Sequence, residues 1–222
     1  MQGIYVTGTD TGIGKTRVST ALLHALRARG LRAAGMKPVA SGCEAVAAGW
    51  RNEDALALQA ASDPVPAYED LNPYALPLPL APELAARDAG IEIDLSRIRS
   101  AHARLQAQAD VVVVEGVGGW DAPLSASLRQ VDVVRMLDLP VVLVVGLRLG
   151  CLNHAILSAR AIAADGVRLL GWIGNAIDPD MACREEQRPM LQARIPAPCL
   201  GWLPHAAEAD PPAFSRLLSI PD

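Results

Sequence analysis

Short apolar runs recur along the chain without the alternation of polar and apolar residues that a half-exposed strand would have. They cover residues 3–7, 111–114, 141–145 and 169–173. A strand that is apolar at every position is typical of a parallel sheet that is covered on both faces. These runs therefore predict buried parallel strands.

Helical periodicity fills segments between the apolar runs. After Lys15, apolar residues recur at helical spacing as far as a basic turn that ends at Gly30, a common helix stop. Similar patterns cover residues 52–61, 95–108 and 153–164. The alternation predicts an α/β fold with a mostly parallel sheet and helices on both faces. Because no repeat or linker interrupts it, residues 1–222 are expected to form one domain.

A proline-rich stretch interrupts this alternation. Six prolines lie between residues 63 and 82, and proline lacks the amide hydrogen that regular elements use. The stretch is therefore predicted to be a loop or a lid rather than a regular element. Two interpretations remain open at this point: an excursion over the surface, or a cover over a ligand at the edge of the sheet.

Composition and charge exclude several classes of function. The chain has 222 residues, of which 51% are hydrophobic, and this supply of apolar side chains excludes wholesale disorder. Its net charge of −4 argues against a nucleic-acid partner. No basic leader precedes the first strand, and no apolar stretch reaches the roughly 20 residues that span a bilayer. We therefore expect a cytoplasmic protein with no membrane partner.

The cysteines and histidines of the sequence do not indicate a functional site. Cys43, Cys151, Cys183 and Cys199 form no Cys-x-x-Cys pair, so reduced thiols are expected rather than a zinc site or disulfides. The histidines are expected to have no catalytic role. His102 in particular is predicted to lie on a solvated helix face.

The segment with the clearest chemistry is GTDTGIGKT, from Gly8 to Thr16, which follows a predicted strand and begins a helix. Backbone amides and the helix dipole favour an anion at such a place. Five residues separate Gly8 from Gly14, one more than in the usual phosphate-binding loop. Lys15 can still reach phosphates, and the hydroxyl of Thr16 can ligate magnesium. The alternative is a glycine turn with an exposed lysine.

Two acidic residues are candidates for the same site. Glu115 ends an apolar strand and precedes a glycine-rich turn, and ligands gather at the carboxyl ends of parallel strands, so it is placed to meet a nucleotide-bound magnesium. A solvent-facing strand-end glutamate is the alternative. Asp54 lies where a helix begins. From the sequence alone, compensation of the helix dipole is the favoured interpretation of Asp54.

A second lysine ends the second predicted strand. Pro38 follows Lys37 and excludes a regular helix there, so Lys37 would project from a rigid strand end toward the same crevice. Ser41 and Gly42 then offer a hydroxyl and an accessible amide. The alternative, a solvated lysine, is the commoner fate of an isolated lysine, but the position after this strand makes it less favoured.

Seven ordered blocks together resemble the ATP-dependent dethiobiotin synthetase family. The blocks are GTDTGIGKT at 8–16, KPVASG at 37–42, NEDA at 52–55, EGVGGW at 115–120, LGCLNHA at 149–155, GNAID at 174–178 and IPAPCLGWLP at 195–204. They extend over nearly the whole chain, and the longer phosphate loop is typical of this family. The resemblance implies that CO2 and 7,8-diaminononanoate are joined to dethiobiotin while ATP becomes ADP and phosphate, with Mg²⁺ as cofactor.

The same resemblance implies a role for individual residues. Catalysis would fall to Lys15, Lys37 and Thr11, and magnesium to Thr16, Asp54 and Glu115. The nucleotide would be held by Gly12, Ile13, Gly14, Lys15, Thr16, Asn175, Trp202, Leu203 and Pro204. The diamine would be bound by Ser41 and, from the neighbouring subunit of a homodimer, by Gly150, Cys151, Leu152 and Asn153.

Some positions depart from the family, and other functions compete. Gly12 replaces a residue that bears a side chain in some members, Glu83 stands where many have histidine, and Trp202 is unusual beside an adenine pocket. One alternative is a P-loop switch ATPase, whose partitioning-type members usually carry an additional lysine near the start of the loop; residues 9–11 supply none. The other is an amidoligase acting on a larger carboxylated substrate. The blocks at 37–42 and 149–155 favour the diamine over both.

Overall fold

Strands and helices alternate along the chain. The computed structural model describes residues 2–206 and 210–221. The strands are β1 (Gly3–Gly8), β2 (Ala33–Met36), β3 (Val39–Ser41), β4 (Glu44–Val46), β5 (Gly49–Arg51), β6 (Tyr74–Leu76), β7 (Val111–Glu115), β8 (Val141–Leu147), β9 (Leu169–Ala176) and β10 (Cys199–Leu203). The helices are α1 (Lys15–Ala28), α2 (Glu53–Ala61), α3 (Tyr68–Leu71), α4 (Pro82–Asp88), α5 (Leu95–Gln106), α6 (Gln130–Leu137), α7 (Cys151–Ala164), α8 (Arg184–Gln192) and α9 (Pro211–Ser215).

Six of the strands form one parallel sheet in the order β10, β9, β8, β1, β7, β2. The first strand lies in the interior, where Tyr5 pairs with Val114 on one side and Val141 on the other. The carboxyl ends of parallel strands share one edge of a sheet, so the segments after β1, β2 and β7 leave from the same edge. The prediction of a mostly parallel α/β sheet is confirmed.

Apolar side chains are buried on both faces of this sheet. Ile4 and Val6 pack with residues of α1 and α2, whereas Tyr5 between them packs with residues of α5, α6 and α7. Successive side chains of a strand point to opposite faces, and here both faces are covered by helices. This explains why the strand sequences are apolar throughout. Among the described residues, each helix is too short or too polar to cross a membrane.

The proline-rich stretch has more regular structure than the sequence predicts. It contains α3 and β6, and Pro82 is the first residue of α4. The strand β6 pairs in parallel with β3, which begins two residues after Lys37. Proline is well accommodated at the first position of a helix, because the amide there needs no partner within the helix. The prediction that this stretch has no regular element is therefore wrong for these segments.

His102 is buried, contrary to the prediction of a solvated side chain. It lies on α5 with only 3% of its surface exposed, beside the buried residues Ala101 and Leu105. Burial lowers the pKa of His102 to about 4. The apolar positions at helical spacing predict the centre of the buried face of α5. The face is wider than these positions indicate, and it includes His102 next to Ala101.

Candidate functional site

The loop between β1 and α1 is shaped by its glycines. Gly14 has a φ of 84° and closes the loop just before Lys15, the first residue of α1. A Cβ at Gly14 would clash with the side-chain amide of Asn175, so only glycine fits. Gly12 also has a positive φ, of 71°, but a Cβ there would meet nothing within 4 Å. The departure from the family at Gly12 therefore faces open space.

Lys15 lies folded over this loop and is almost buried. Its Nζ donates a hydrogen bond to the backbone oxygen of Asp10 at 2.8 Å, and 7% of the residue is exposed. Burial, assisted by the nearby charge of Lys37, lowers the pKa of Lys15 to about 8. The alternative of an exposed lysine after a glycine turn is therefore wrong.

Three oxygen-bearing side chains from three elements meet next to Lys15. The Oγ1 of Thr16 on α1 lies 2.7 Å from Oδ1 of Asp54 on α2 and 2.9 Å from Oε1 of Glu115 on β7. A threonine hydroxyl has one hydrogen, so it can donate to only one of these two carboxylates at a time. The Oε2 of Glu115 is buried and has no hydrogen-bond partner among the described residues. An unpartnered carboxylate oxygen beside a hydroxyl and a second carboxylate suits a hard cation such as magnesium.

Lys37 supplies the positive charge of this cluster. Its Nζ lies 2.6 Å from Oε1 of Glu115 and 3.0 Å from Oδ2 of Asp54, and the residue is 4% exposed. Burial disfavours the ammonium ion, but the two carboxylates outweigh burial and raise the pKa of Lys37. The same ammonium group, acting against burial and together with Thr16, lowers the pKa of Asp54. The alternative of a solvated Lys37 is wrong, and Asp54 does more than compensate a helix dipole.

Local structure fixes the strand end that carries Lys37. The backbone N–H of Lys37 donates to the oxygen of Leu71 at 2.7 Å, and the side-chain amide of Asn72 donates to the oxygen of Lys37 at 2.7 Å. Asn72 follows α3, within the proline-rich stretch. Its role could not be predicted from the sequence, because nothing in the pattern relates residue 72 to the end of β2.

These groups border one open cavity of about 810 Å³. Its walls come from the phosphate loop, the strand ends and the glycine-rich segment after β7, with Thr11, Gly12, Lys37, Ser41 and Val117 among the lining residues. Residues 79–82 of the proline-rich stretch form a further wall. The structure therefore favours the second interpretation of this stretch, a cover at the edge of the sheet.

Asn175 lies at the back of the phosphate loop. Its Nδ2 donates to the oxygen of Ile13 at 2.8 Å, while its Oδ1 is buried and has no partner among the described residues. Trp202 lies on the neighbouring strand β10, and its Nε1 donates to Glu185 at 3.1 Å. The indole packs against Gly174, where a Cβ would clash with it. β10 ends at Leu203, and Pro204 follows it.

The start of α7 lies apart from the cavity. Gly150, Cys151, Leu152 and Asn153 are not among the described residues that line it. Gly150 precedes the helix with a φ of 94°, and Leu149 is 94% exposed. The structure thus gathers the catalytic and metal candidates at this cavity but places the segment 150–153 away from its described lining.

A further ion pair links the start of α7 to the phosphate loop. The Nη2 of Arg148 lies 2.6 Å from Oδ2 of Asp10, and Oδ1 of Asp10 accepts from the backbone N–H of Thr11 at 2.7 Å. From the sequence, Asp10 is notable only because the position holds no lysine. The pair is separated by 138 positions, so no local signal in the sequence could have revealed it.

A glycine loop that joins a parallel strand to a helix, with a lysine, a hydroxyl and a strand-end glutamate beside it, defines a P-loop nucleotide-binding protein. Solved structures support this fold: the MinC:MinD complex of Aquifex aeolicus has a TM-score of 0.59 at 14% identity, covering 93% of this chain and 83% of that chain. A ParA family ATPase of Chlorobium tepidum has a TM-score of 0.57 at 13% identity, covering 93% of this chain and 85% of that chain. These likenesses establish the fold alone.

Sequence comparison defines the family more narrowly. A family model described as an AAA domain matches residues 2–213. An ATP-dependent dethiobiotin synthetase BioD of Xanthomonas oryzae pv. oryzae is 65% identical over 98% of this chain and 97% of its own length. Another from Xylella fastidiosa is 62% identical over 96% of this chain and 94% of its own. The chain belongs to the ATP-dependent dethiobiotin synthetase family, as its sequence blocks predicted.

The lowered pKa of Lys15 predicts that nucleotide binding depends on pH. With a pKa of about 8, Lys15 loses its proton as the pH rises through 8, and at pH 9 only about one tenth of the molecules keep it. Since phosphate favours the ammonium form, ADP affinity should fall above pH 8 and binding there should take up a proton. Calorimetry in two buffers of different ionisation enthalpy measures both effects.

The matched control for this prediction is Lys15→Arg, because a guanidinium keeps its charge throughout this range. ADP binding by that variant should vary little between pH 7 and pH 9.5, whatever its absolute affinity. An affinity of the unaltered protein that stays constant over the same range, without proton uptake, would contradict a pKa near 8.

Proposed function

We propose that this protein joins CO2 to 7,8-diaminononanoate at the expense of ATP, forming dethiobiotin, ADP and phosphate in biotin biosynthesis. One observation carries the proposal beyond nucleotide binding: a second buried lysine, Lys37, lies between two carboxylates and borders the same cavity as Lys15. A partitioning-type switch ATPase usually carries its additional lysine near the start of the phosphate loop, whereas Lys37 follows the end of β2. The family relationship supplies the identity of the diamine.

The reaction proceeds in three steps, each of which forms one new bond. One amine of the diamine attacks CO2 and, with loss of a proton, becomes a carbamate. A carbamate oxygen then takes the γ-phosphoryl group, and the bond to ADP breaks. The second amine attacks the carbonyl carbon, loses its proton, and the carbon–oxygen bond to phosphate breaks as the cyclic urea closes. Protein groups contribute chiefly orientation and charge neutralisation to such transfers.

The two lysines and Thr11 serve this sequence as charge-stabilising groups. Lys15 at the phosphate loop would neutralise the β- and γ-phosphates, and Lys37 the charge that develops between carbamate and γ-phosphate. Thr11 lies in the loop and borders the cavity, where its hydroxyl can contact the carbamate. These assignments fit groups that line the same cavity.

The oxygen cluster of Thr16, Asp54 and Glu115 fits magnesium. A buried Glu115 oxygen without a partner and a hydroxyl shared between two carboxylates are the features that a hard cation would complete. When bound there, the ion would supply positive charge to the phosphates of ATP. The protein's part is to hold the three oxygens together from α1, α2 and β7.

The adenine contacts would come from Asn175 and the end of β10. Because Nδ2 of Asn175 is engaged with Ile13, the free Oδ1 is an acceptor that suits the amino group of adenine. The backbone of Trp202, Leu203 and Pro204 would close that pocket. The amides of Gly12, Ile13, Gly14, Lys15 and Thr16 would bind the phosphates.

The diamine would occupy the part of the cavity beside Ser41. The Oγ of Ser41 is buried and has no hydrogen-bond partner among the described residues, so it is available to an amine or a carbamate. Pro79, Leu80 and Val117 give this part of the cavity an apolar wall suited to an alkyl chain. The substrate carboxylate would lie beyond this wall.

A homodimer would provide the site for that carboxylate. Amides at the start of α7, together with the side chain of Asn153, can bind a carboxylate. Within one chain, residues 150–153 do not line the described cavity, so they would serve the site of the neighbouring subunit. The exposed leucines Leu149 and Leu157, which are 94% and 53% exposed, give this segment an apolar surface for association.

We extend the proposal to a single domain over residues 1–222 that acts in the cytoplasm. The family model spans residues 2–213, and the cysteines 43, 151, 183 and 199 are free thiols, as is usual in a reducing compartment. The acidic net charge of −4 argues against a nucleic-acid partner.

The assigned reaction requires CO2 as a reactant. With magnesium, ATP and the diamine, labelled bicarbonate should place its carbon in the urea carbonyl of the product, which mass spectrometry detects. ADP formation should depend on the diamine. Equal diamine-dependent turnover after rigorous removal of CO2 would refute the reaction, and equal turnover without the diamine would favour a switch ATPase.

The metal assignment predicts a selective effect of Glu115→Gln. Loss of one anionic ligand should lower kcat by at least about tenfold and raise the magnesium concentration for half-maximal rate, because the charge that neutralises phosphate is held less tightly. The matched control is Glu92→Gln, at an exposed position. If Glu115→Gln keeps both kcat and the magnesium dependence, Glu115 does not bind the metal.

The shared site predicts complementation between two inactive chains. Lys37→Gln and Asn153→Ala must each first be shown to be folded and strongly impaired. In a 1:1 mixture about half of the dimers are mixed, and each contains one intact site, so about one quarter of the original activity should return. Verified heterodimers with no recovered turnover would argue that Lys37 and Asn153 act within one chain.

A further inference from the structure

The glycine-rich segment after β7 forms a wall of the cavity but has almost no side chains of its own to hold it. Val117, Gly118 and Gly119 all line the cavity, and Gly118 has a φ of 63°. At the start of the segment, the N–H of Gly116 donates to Val6 at 2.9 Å. Glycine leaves the backbone many conformations, so the rest of this wall needs support from elsewhere in the fold.

That support comes from Gln130, the first residue of α6. Its side chain is 1% exposed. The Oε1 accepts a hydrogen bond from the backbone N–H of Val117 at 2.9 Å, and the Nε2 donates to the backbone oxygen of Gly119. One side-chain amide therefore holds the segment at two points on either side of Gly118.

Tyr5 in turn orients Gln130. The hydroxyl of Tyr5, on the interior strand β1, donates to Oε1 of Gln130 at 2.8 Å, and the tyrosine is 2% exposed. Both side chains pack directly against Gly116, where a Cβ would clash with each of them. The free space between the segment and these side chains is only about 10 Å³, so the segment is closely packed on this side.

The segment touches the reacting groups on its other side. The backbone oxygen of Gly116 lies 3.4 Å from Nζ of Lys37. A Cβ at Gly118 would lie 3.5 Å from Oγ1 of Thr11. Any shift of this backbone would therefore change the space between Lys37 and the phosphate loop.

We propose that Gln130, oriented by Tyr5, is a positioning residue that fixes the wall formed by residues 116–119 against Lys37 and the diamine. Gln130 does not touch the reactants; it acts through the backbone that it holds. The inference rests on the proposed function, since it concerns the diamine side of the same cavity.

The kinetic test uses Gln130→Leu, which keeps the bulk of the side chain but removes its donor and acceptor. A displaced wall should lower kcat/KM for the diamine by about tenfold or more, because small errors in position are costly for transfer reactions. ADP affinity should change by less than about twofold, since the amides that hold phosphate lie in the other loop. Tyr5→Phe should produce a smaller effect of the same kind.

Two comparisons separate positioning from general destabilisation. Tyr74→Phe is the matched control, because Tyr74 is also buried and its hydroxyl bonds, among the described residues, to the backbone of Asp94; it should lower thermal stability without changing the kinetics. In the Gln130→Leu background, Tyr5→Phe should cause no further loss of kcat/KM, since Tyr5 acts through Gln130.

Amide hydrogen exchange provides a readout that does not depend on activity. The N–H of Val117 should exchange faster in Gln130→Leu than in the unaltered protein, while that of Gly116, bonded to Val6, should change less. If Gln130→Leu does not fold, the same comparison is made with Tyr5→Phe.

The outcomes are distinct. If the unaltered protein forms no dethiobiotin, the proposed function fails. If it does form dethiobiotin and the folded variants keep normal kcat/KM and normal Val117 exchange, the positioning role of Gln130 is refuted. A parallel loss of ADP binding and diamine turnover, in proportion to a lost folded fraction, would also refute it in favour of a purely structural role.

Discussion

The buried contact between Lys37 and Glu115 is the constraint on which the site depends. Taking an ammonium and a carboxylate out of water is unfavourable, and removing one partner of such a pair typically costs about 3–5 kcal/mol. The pair persists here because Asp54 and Thr16 add hydrogen bonds to it. The strand ends that carry Lys37 and Glu115 must therefore stay in register.

The parallel sheet meets that requirement through its strand order. β7 lies between β1 and β2, so the phosphate loop, Glu115 and Lys37 leave three adjacent strands at one edge. Asp54 reaches the same point from the first turn of α2, whose start is capped by Asn52. Thr16, Lys37, Asp54 and Glu115 are far apart in the sequence. They meet here because each one lies where a strand ends or a helix begins at this edge of the sheet.

This explains which features could be predicted from the sequence. Thr16, Glu115 and Lys37 stand at strand or helix ends, and the rule that ligands gather at the carboxyl edge brings them together. For Asp54 the sequence favours compensation of the helix dipole, because an acidic residue stabilises a helix start whether or not a site lies nearby. His102 and the short elements around β6 were missed for another reason: their placement depends on packing against distant segments, which local periodicity does not contain.

The glycines let the backbone of the site approach the reactants closely, but they also leave that backbone flexible. Backbone amides can approach phosphate or substrate closely only where side chains are absent, yet such backbone holds no shape of its own. In this fold each of the two glycine segments is tied by one buried side-chain amide: Asn175 bonds to Ile13 in the phosphate loop, and Gln130 bonds to Val117 and Gly119 in the segment after β7. An amide suits this task because it offers a donor and an acceptor without a charge. A charged side chain in either place would disturb the balance between the lysines and the carboxylates that the two loops enclose.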